Sequence, residues 1–266
     1  MLITLTTDFG YKDPFVGIMK GVICGINPAA QIVDLCHGIP AQDIMAAALI
    51  LRHSAQYFQR GTIHVVVVDP GVGSSRRPLL LELEGNYFIG PDNGALSLVT
   101  EGKKPTRLVH LSNPSYQLQP TSTTFHGRDI FAPAAAYLSR GAAPYAFGEI
   151  LDDFAKLTWP SVVKTKTTIR GEIVYIDGFG NLFTNIGAED LKEIPAGQLR
   201  IGLRDLLILC LSENYSAVEQ GKYVALVNSW GLLEIAIYRE SAEERSGAII
   251  GDKVQVTWVS QEDLEL

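Results

Sequence analysis

Four stretches of the chain set carboxylates, an imidazole or amides beside glycines at the ends of apolar runs, where loops present reactive groups to a ligand. In TTDFGYKD, Asp8 falls just past a short strand pattern and Asp13 opens a helical one. A carboxylate beyond the carboxyl end of a strand in an open α/β sheet commonly takes a ribose diol or an amine; a turn at Asp8 and a helix cap at Asp13 explain the same residues. In VVVVDPGVGSSRRP, Asp69 ends an apolar run, and Gly71 and Gly73 allow a tight path to Arg76. No lysine follows the glycines and no third glycine completes GxGxxG, so neither nucleotide motif is met. In TSTTFHGRDIFAP, His126 stands between hydroxyl residues and Gly127, a setting for acid–base work near neutral pH, or for an imidazole that only satisfies loop carbonyls with Asp129 as a cap. The other loop histidine is His37. In YIDGFGNLFTNI, Asp177, Asn181, Phe183 and Asn185 surround two glycines and are echoed by NSWGLLEIA; amides and aromatics there can read a flat heterocycle, and turn chemistry explains them as well.

These groups converge only if the chain between them folds suitably. Ile3 to Thr7, Ile32 to Leu35 and Ile63 to Val68 read as strands, separated by helical patterns over Pro14 to Ile26 and Asp43 to Phe58. HVVVVD lacks alternation, as a strand buried on both faces of a parallel sheet would. Strands at Leu79 to Leu83, Tyr87 to Ile89 and Leu108 to Leu111 follow, with helices at Ala95 to Thr100 and Asp129 to Ser139. Residues 1–157 are therefore expected to form an α/β domain with a parallel-type sheet flanked by helices. TWPSVVKTKTT reads as a linker, and the short strand patterns after it predict a smaller all-β, barrel-like domain over 168–266.

Composition narrows the class. The chain has 266 residues, 47% of them hydrophobic, enough for a sizeable core. A net charge of −7 without a basic stripe argues against nucleic acid and anionic membrane surfaces. No apolar run approaches the roughly 18 residues of a membrane span, and the start MLITLTTDFG lacks a basic leader, so the cytoplasm is the expected compartment. Cys24, Cys36 and Cys210 lack metal or disulfide spacing and are expected to be reduced core thiols.

Taken in order, TTDFGYKD, DLCHGIPAQDI, VDPGVGSSRRP, the PDNG at Pro91 to Gly94, TFHGRDIFAP, DGFGNLFTN and NSWGLLEIA resemble the S-adenosylmethionine hydroxide adenosyltransferase family, the water-using relatives of fluorinases and chlorinases. The resemblance covers nearly the whole chain. It implies a hydrolase that splits S-adenosyl-L-methionine into adenosine and L-methionine by attack of water at the ribose 5′ carbon, without metal or separate cofactor. It also implies an α/β domain, a β-barrel domain, and a homotrimer with active sites between subunits. The water-activating set falls on Asp69, Arg76 and His126; the halogenating relatives carry tyrosines at the positions of Asp69 and His126. Asp8 matches the ribose carboxylate, Asp13, Asp177 and Ser229 the methionine end, and Asn181 and Phe183 the adenine end, with Phe125 a further substrate contact. Gln42 stands where halogenases place a Trp and Trp230 where they carry an Arg, which leaves the methionine carboxylate without an assigned partner. Two other classes fit the residues alone: a metal-dependent hydrolase with Asp8, Asp69, His126 and Asp129 as ligands, and a non-catalytic module that binds adenosine or S-adenosylmethionine.

Overall fold

The computed structural model describes residues 1–194 and 196–258, and the chain divides into two compact units, Met1–Leu157 and Thr158–Leu266. The first unit runs β1 (Leu2–Thr7), α1 (Phe15–Ile26), β2 (Gln31–Cys36), α2 (Ile44–Ala55), β3 (Ile63–Val67), β4 (Pro78–Leu83), β5 (Asn86–Pro91), β6 (Arg107–His110) and α3 (Ala132–Ser139). Its sheet has the order β2-β1-β3-β5-β4-β6. β1 pairs in parallel with β2 and β3, and β3 with β5, whereas β4 is antiparallel to β5 and β6. The antiparallel strand follows from local chemistry: Glu84 (φ 52) and Gly85 (φ 83) form a two-residue turn with both φ positive, the geometry that closes a hairpin.

Side chains alternate across the central strands. Ile3, Leu5, Ile63, Val65 and Val67 face a core shared with Met19 and Ile23 of α1 and with Ala132, Ala135 and Leu138 of α3. The intervening residues, Thr4 and His64 among them, lie on the side of the strands where α2 packs. β3 is buried throughout, which is why its sequence is apolar on both faces apart from His64.

The connections β1–α1–β2 and β2–α2–β3 leave β1 in the middle, with β2 on one side and β3 on the other. The crevice between the carboxyl ends of β1 and β3 is therefore a topological switch point, where open α/β sheets bind ligands. Asp8 follows β1 and Asp69 lies two residues past β3.

In the second unit β8 (Thr168–Ile176), β9 (Leu182–Gly187), β10 (Arg200–Leu203), β11 (Leu206–Ile208), β12 (Tyr223–Val227), β13 (Leu232–Ile237) and β14 (Lys253–Thr257) form one antiparallel sheet in the order β11-β10-β14-β8-β9-β13-β12. A bridge from Ser212 to Leu226 brings its ends near each other, and the sheet wraps a core of Ile169, Ile173, Ile201, Ile235 and Val254 into a nearly closed barrel.

Several expectations change. The segment expected to be a linker holds β7 (Val163–Lys164), which pairs with β8 through a turn closed by Thr165 N–H to Thr168 O at 2.8 Å. The end of the expected second domain, 259–266, lies outside the described residues. Ala242–Ser246 is a helical turn the strand reading passed over; Ser241 caps it through Glu244 N–H at 3.0 Å and Gly247 (φ 61) ends it. The cysteines are not core thiols: Cys24 and Cys210 are exposed and Cys36 is half-buried. Cys24 sits one residue, about 100° around the helix, from the buried Ile23, which turns it away from the core.

His64 has a thermodynamic consequence. It is fully buried, its Nδ1 lies 2.9 Å from Thr4 Oγ1, its ring stacks on Phe88, and burial lowers its pKa to about 4. The unfolded chain takes up this proton near pH 6.5 and the native chain does not until about pH 4. Stability is therefore lost as pH falls across that window, by up to roughly 3 kcal/mol. Urea unfolding at pH 7 and pH 4.5 should show a smaller acid loss for His64→Phe than for the natural protein. Equal losses would assign the acid sensitivity to other groups.

Candidate active site

Segment 69–76 leaves β3, turns through Gly71 and Gly73, and returns to β4. Its internal bonds are those of tight turns, Val72 N–H to Asp69 O at 3.2 Å and Ser74 N–H to Gly71 O at 3.1 Å. Gly73 is required: its φ is +77°, and a Cβ there would lie 2.2 Å from the carbonyl oxygen of Thr123. The glycine lets this loop close directly onto the irregular segment that leads to His126.

That closure brings three residues of distant sequence together. Arg76 Nε donates to Asp69 Oδ1 at 2.9 Å and Nη2 donates to Asp69 Oδ2, a bidentate pair in which the side chains are only 8% and 5% exposed. The same Nη2 lies 2.6 Å from His126 Nδ1. A guanidinium only donates, so His126 Nδ1 must accept, and the ring proton resides on Nε2. Burial and then the positive charge of Arg76 push the imidazole pKa below its ordinary value, against the weaker pull of Asp69 and Asp129. The imidazole is thus neutral at pH 7 with an N–H to offer.

Asp69 and His126 line a cleft of about 440 Å³ with Asp8, Asp13, Gln42 and Phe125, while Arg76 stands behind them. Asp8 Oδ2 accepts Gln42 N–H at 2.9 Å, leaving Oδ1 for a ligand; Gln42 holds a positive φ of 67° to make that bond. Asp13 does not cap α1, whose cap position is Pro14, and it faces the cleft instead. Phe125 packs edge-on against Phe9 and Phe15, with centroids 6.0 and 5.3 Å away, forming an aromatic wall.

Asp129 is not a helix cap either. It lies within a π-helical turn, Gly127–Phe131, that leads into α3. Burial opposes its ionisation, but Arg128, at 2.6 and 2.9 Å, and the Ser122 N–H, at 2.8 Å, outweigh it and hold the carboxyl below the usual range. Its lone pairs are directed into the loop that carries His126. Among the described residues no three His, Cys, Asp or Glu side chains converge as metal ligands. His37 is buried, with Nδ1 2.8 Å from Thr7 Oγ1 and its carbonyl accepting Gly10 N–H at 2.7 Å, so it braces the Asp8 loop.

The second unit carries a cavity of about 610 Å³ at the β8–β9 loop, lined by Asp177, Phe179, Asn181, Tyr215 and Arg239. Asp177 performs turn chemistry: Oδ1 accepts Phe179 and Asn181 N–H at 2.9 Å each, and Oδ2 accepts Asn181 Nδ2 at 3.0 Å. Those bonds leave Phe179 projecting at the loop, 81% exposed. Phe183 does not reach this cavity; it is buried against Tyr175 and Trp230 with centroids 5.5 and 5.1 Å away. Ser229 lies in the turn between β12 and β13, also outside it. Phe179 lines this cavity and was not singled out by the sequence reading. Its glycine neighbours mark a loop tip, where an aromatic side chain has no core to join.

A buried arginine clamping a carboxylate and a neutral imidazole at the switch point of an α/β sheet, followed by an antiparallel barrel, defines a two-domain protein built to hold a small polar ligand. The chain belongs to the SAM hydroxide adenosyltransferase family: residues 3–148 match its N-terminal domain and residues 171–255 its C-terminal domain. It is 34% identical to the (R)-S-adenosyl-L-methionine hydrolase of Thermus thermophilus, over 94% of this chain and 97% of that one. It is also 29% identical to a fluorinase of an Actinoplanes species, over 88% and 90%. The crystal structure of an uncharacterized conserved protein from Thermotoga maritima superposes with a TM-score of 0.90 at 32% identity, covering 97% of this chain and all of that one.

The clamp predicts a spectroscopic state. Nitrogen-15 spectra of His126 at pH 7 should show the neutral ring with its proton on Nε2, titrating only below the ordinary imidazole value of about 6.5. A ring found charged at pH 7, or protonated on Nδ1, would contradict the hydrogen-bond assignment.

Proposed function

We propose that the protein hydrolyses S-adenosyl-L-methionine to adenosine and L-methionine. The observation that carries this reading is the Asp69–Arg76–His126 cluster at the cleft that Asp8 lines, in a chain of this family. The sulfonium makes methionine a good neutral leaving group, so the protein must chiefly position the nucleophile. Water attacks the 5′ carbon; the new C–O bond forms as the C–S bond breaks, the electron pair goes to sulfur, and a proton leaves the attacking oxygen. In this reading His126 Nε2–H donates to the water oxygen and Asp69 accepts one of its protons, directing a lone pair at the carbon. Arg76 already donates to both partners, so its role is to fix them. Asp69 keeps accepting capacity, since a carboxylate has about four lone-pair sites and the clamp uses two.

The free oxygen of Asp8 takes the ribose diol, Phe125 walls the sugar side, and Asp13 meets the methionine ammonium. In the second unit Asn181 reads the adenine edge, and Phe179 supplies the aromatic face in place of Phe183. Asp177 shapes that loop, and the turn holding Ser229 accompanies it. The working form is a cytoplasmic homotrimer whose sites are shared between subunits, needing no cofactor. Among the described residues no helix is long and apolar enough to cross a membrane. A metal-dependent reading is disfavoured because Asp129 is committed to Arg128 and the Ser122 N–H.

Chromatography of products from S-adenosyl-L-methionine, with both sulfonium configurations and with and without chloride, tests the reaction. Adenosine and methionine are expected, with oxygen from labelled water at the 5′ position. Substrate that stays intact beside stoichiometric protein would favour a binding module instead.

Two variant sets follow. Asp8→Ala should weaken adenosine binding by about 1.5–3 kcal/mol in calorimetry, the range for hydrogen bonds to a charged group. Losses from Asp69→Asn, Arg76→Ala and His126→Ala should be strongly non-additive, the first removing most of the rate and a second costing little more. Near-normal turnover in all three folded single variants would remove the cluster from the mechanism.

A further inference from the structure

The PDNG motif, Pro91–Gly94, touches neither cavity, yet it is tied to both ends of the segment that carries Asp69 and Arg76. At the front, Asn93 Nδ2 donates to the carbonyl of Val68 at 2.9 Å, the residue immediately before Asp69. At the rear, Arg77, immediately after Arg76, donates from Nε to Asp92 Oδ2 at 2.7 Å, and its carbonyl accepts Asp92 N–H at 2.8 Å. The two clamping side chains are themselves anchored. Asp92 is 7% exposed and its Oδ1 accepts Ala155 N–H at 2.6 Å, while Asn93 Oδ1 accepts Ala95 N–H at 3.1 Å.

Between those ends the segment is bonded chiefly to itself, through turn-type backbone bonds and through the Ser74 hydroxyl, which donates to Gly71 O at 2.7 Å and accepts Arg76 N–H at 3.3 Å, and it meets Thr123 at Gly73. Such a loop does not by itself fix the distance between a carboxylate at its first residue and a guanidinium at its last. Yet the bidentate pair needs its two residues in one plane, and the same Nη2 must reach His126. Two adjacent side chains on the end of the neighbouring strand supply that constraint, one for each end of the loop.

We propose that Asp92 and Asn93 are positioning residues of the reaction, setting the separation of Asp69 and Arg76 and through it the tautomer and orientation of His126. The inference rests on the hydrolytic reading of that cluster. It adds a gauge for the catalytic loop, made by a motif that touches no substrate.

Three variants test it. Asn93→Asp sets an acceptor against the Val68 carbonyl at unchanged size, Asn93→Ala removes the donor, and Asp92→Asn keeps an acceptor for Ala155 while opposing Arg77. In variants shown to be folded, kcat should fall on the order of a hundredfold, as for a displaced reacting group. Adenosine affinity, which depends on Asp8 after a different strand, should change by less than about twofold, the pattern of a lost transition-state interaction. The His126 nitrogen spectra at pH 7 should no longer show the single Nε2–H form, since the ring faces Arg76, Asp69 and Asp129 and only the first holds Nδ1. A purely structural role would lower the unfolding midpoint and leave the kcat of the folded protein and the His126 spectrum unchanged; that result overturns the proposal. Should all three variants fail to fold, Arg77→Lys keeps the charge beside Asp92 without the fork, and the same spectrum reads the milder displacement. If the natural protein does not hydrolyse the substrate, the functional reading fails, while the His126 spectra still decide whether Asp92 and Asn93 set the cluster.

Discussion

A guanidinium cannot be placed behind an active-site wall without partners, because desolvating an unpaired charge costs more than a domain can spare. Arg76 meets that constraint with the carboxylate of Asp69 and the ring nitrogen of His126, and much of the first unit is arranged around the result. One charge thereby sets three things. It holds Asp69 in place, adds to burial in keeping His126 neutral, and assigns the imidazole proton to the nitrogen that Arg76 does not occupy. A lysine could supply the charge but not the planar fork that reaches two acceptors at once.

The supporting structure consists of close approaches rather than extra catalytic groups. Gly73 allows one loop to lie against Thr123 of another, and Asp129 draws the His126 loop together through Arg128 and Ser122. On the far side of the cleft, His37 braces the Asp8 loop through Thr7 and Gly10, and Gln42 adopts a left-handed backbone to donate to Asp8. These residues tie acceptors and donors to fixed partners, as catalysis by positioning requires. The second unit uses the same device. Asp177 spends its carboxylate on the β8–β9 loop, so that Phe179 and Asn181 can face the cavity.

Periodicity made much of the fold legible. The unbroken apolar run at His64–Val68, the helical spacing before Ile26 and the short strand patterns after the Thr-rich segment all correspond to elements of the structure. So did the grouping of Asp8, Asp69 and His126, because glycine-bearing loops after strands in an alternating pattern must gather at one edge of the sheet. The sequence left readings open where a residue type has two common uses. Asp13 taken alone read more readily as a helix cap than as a site group, and Asp129 as a cap or a metal ligand; Asp13 faces the cleft and Asp129 turns to Arg128. Phe179, on the β8–β9 loop, and Phe183, in β9, carry the same side chain four positions apart. Only the strand register, which pairs Phe183 with Tyr175 and Glu234 inside the sheet, separates the packed ring from the projecting one.

The sequence by itself determined the two-domain plan, the family and the residues able to do chemistry, because these follow from patterning and from ordered motifs read along one dimension. The tertiary structure decided what each residue does. That Arg76 lies behind the cleft rather than in it, that His126 offers Nε2–H, and that Asp92 and Asn93 grip the two ends of one loop depend on hydrogen bonds between residues 15 to 50 positions apart. Direction and partner are properties of three-dimensional placement, and no spacing in the chain encodes them.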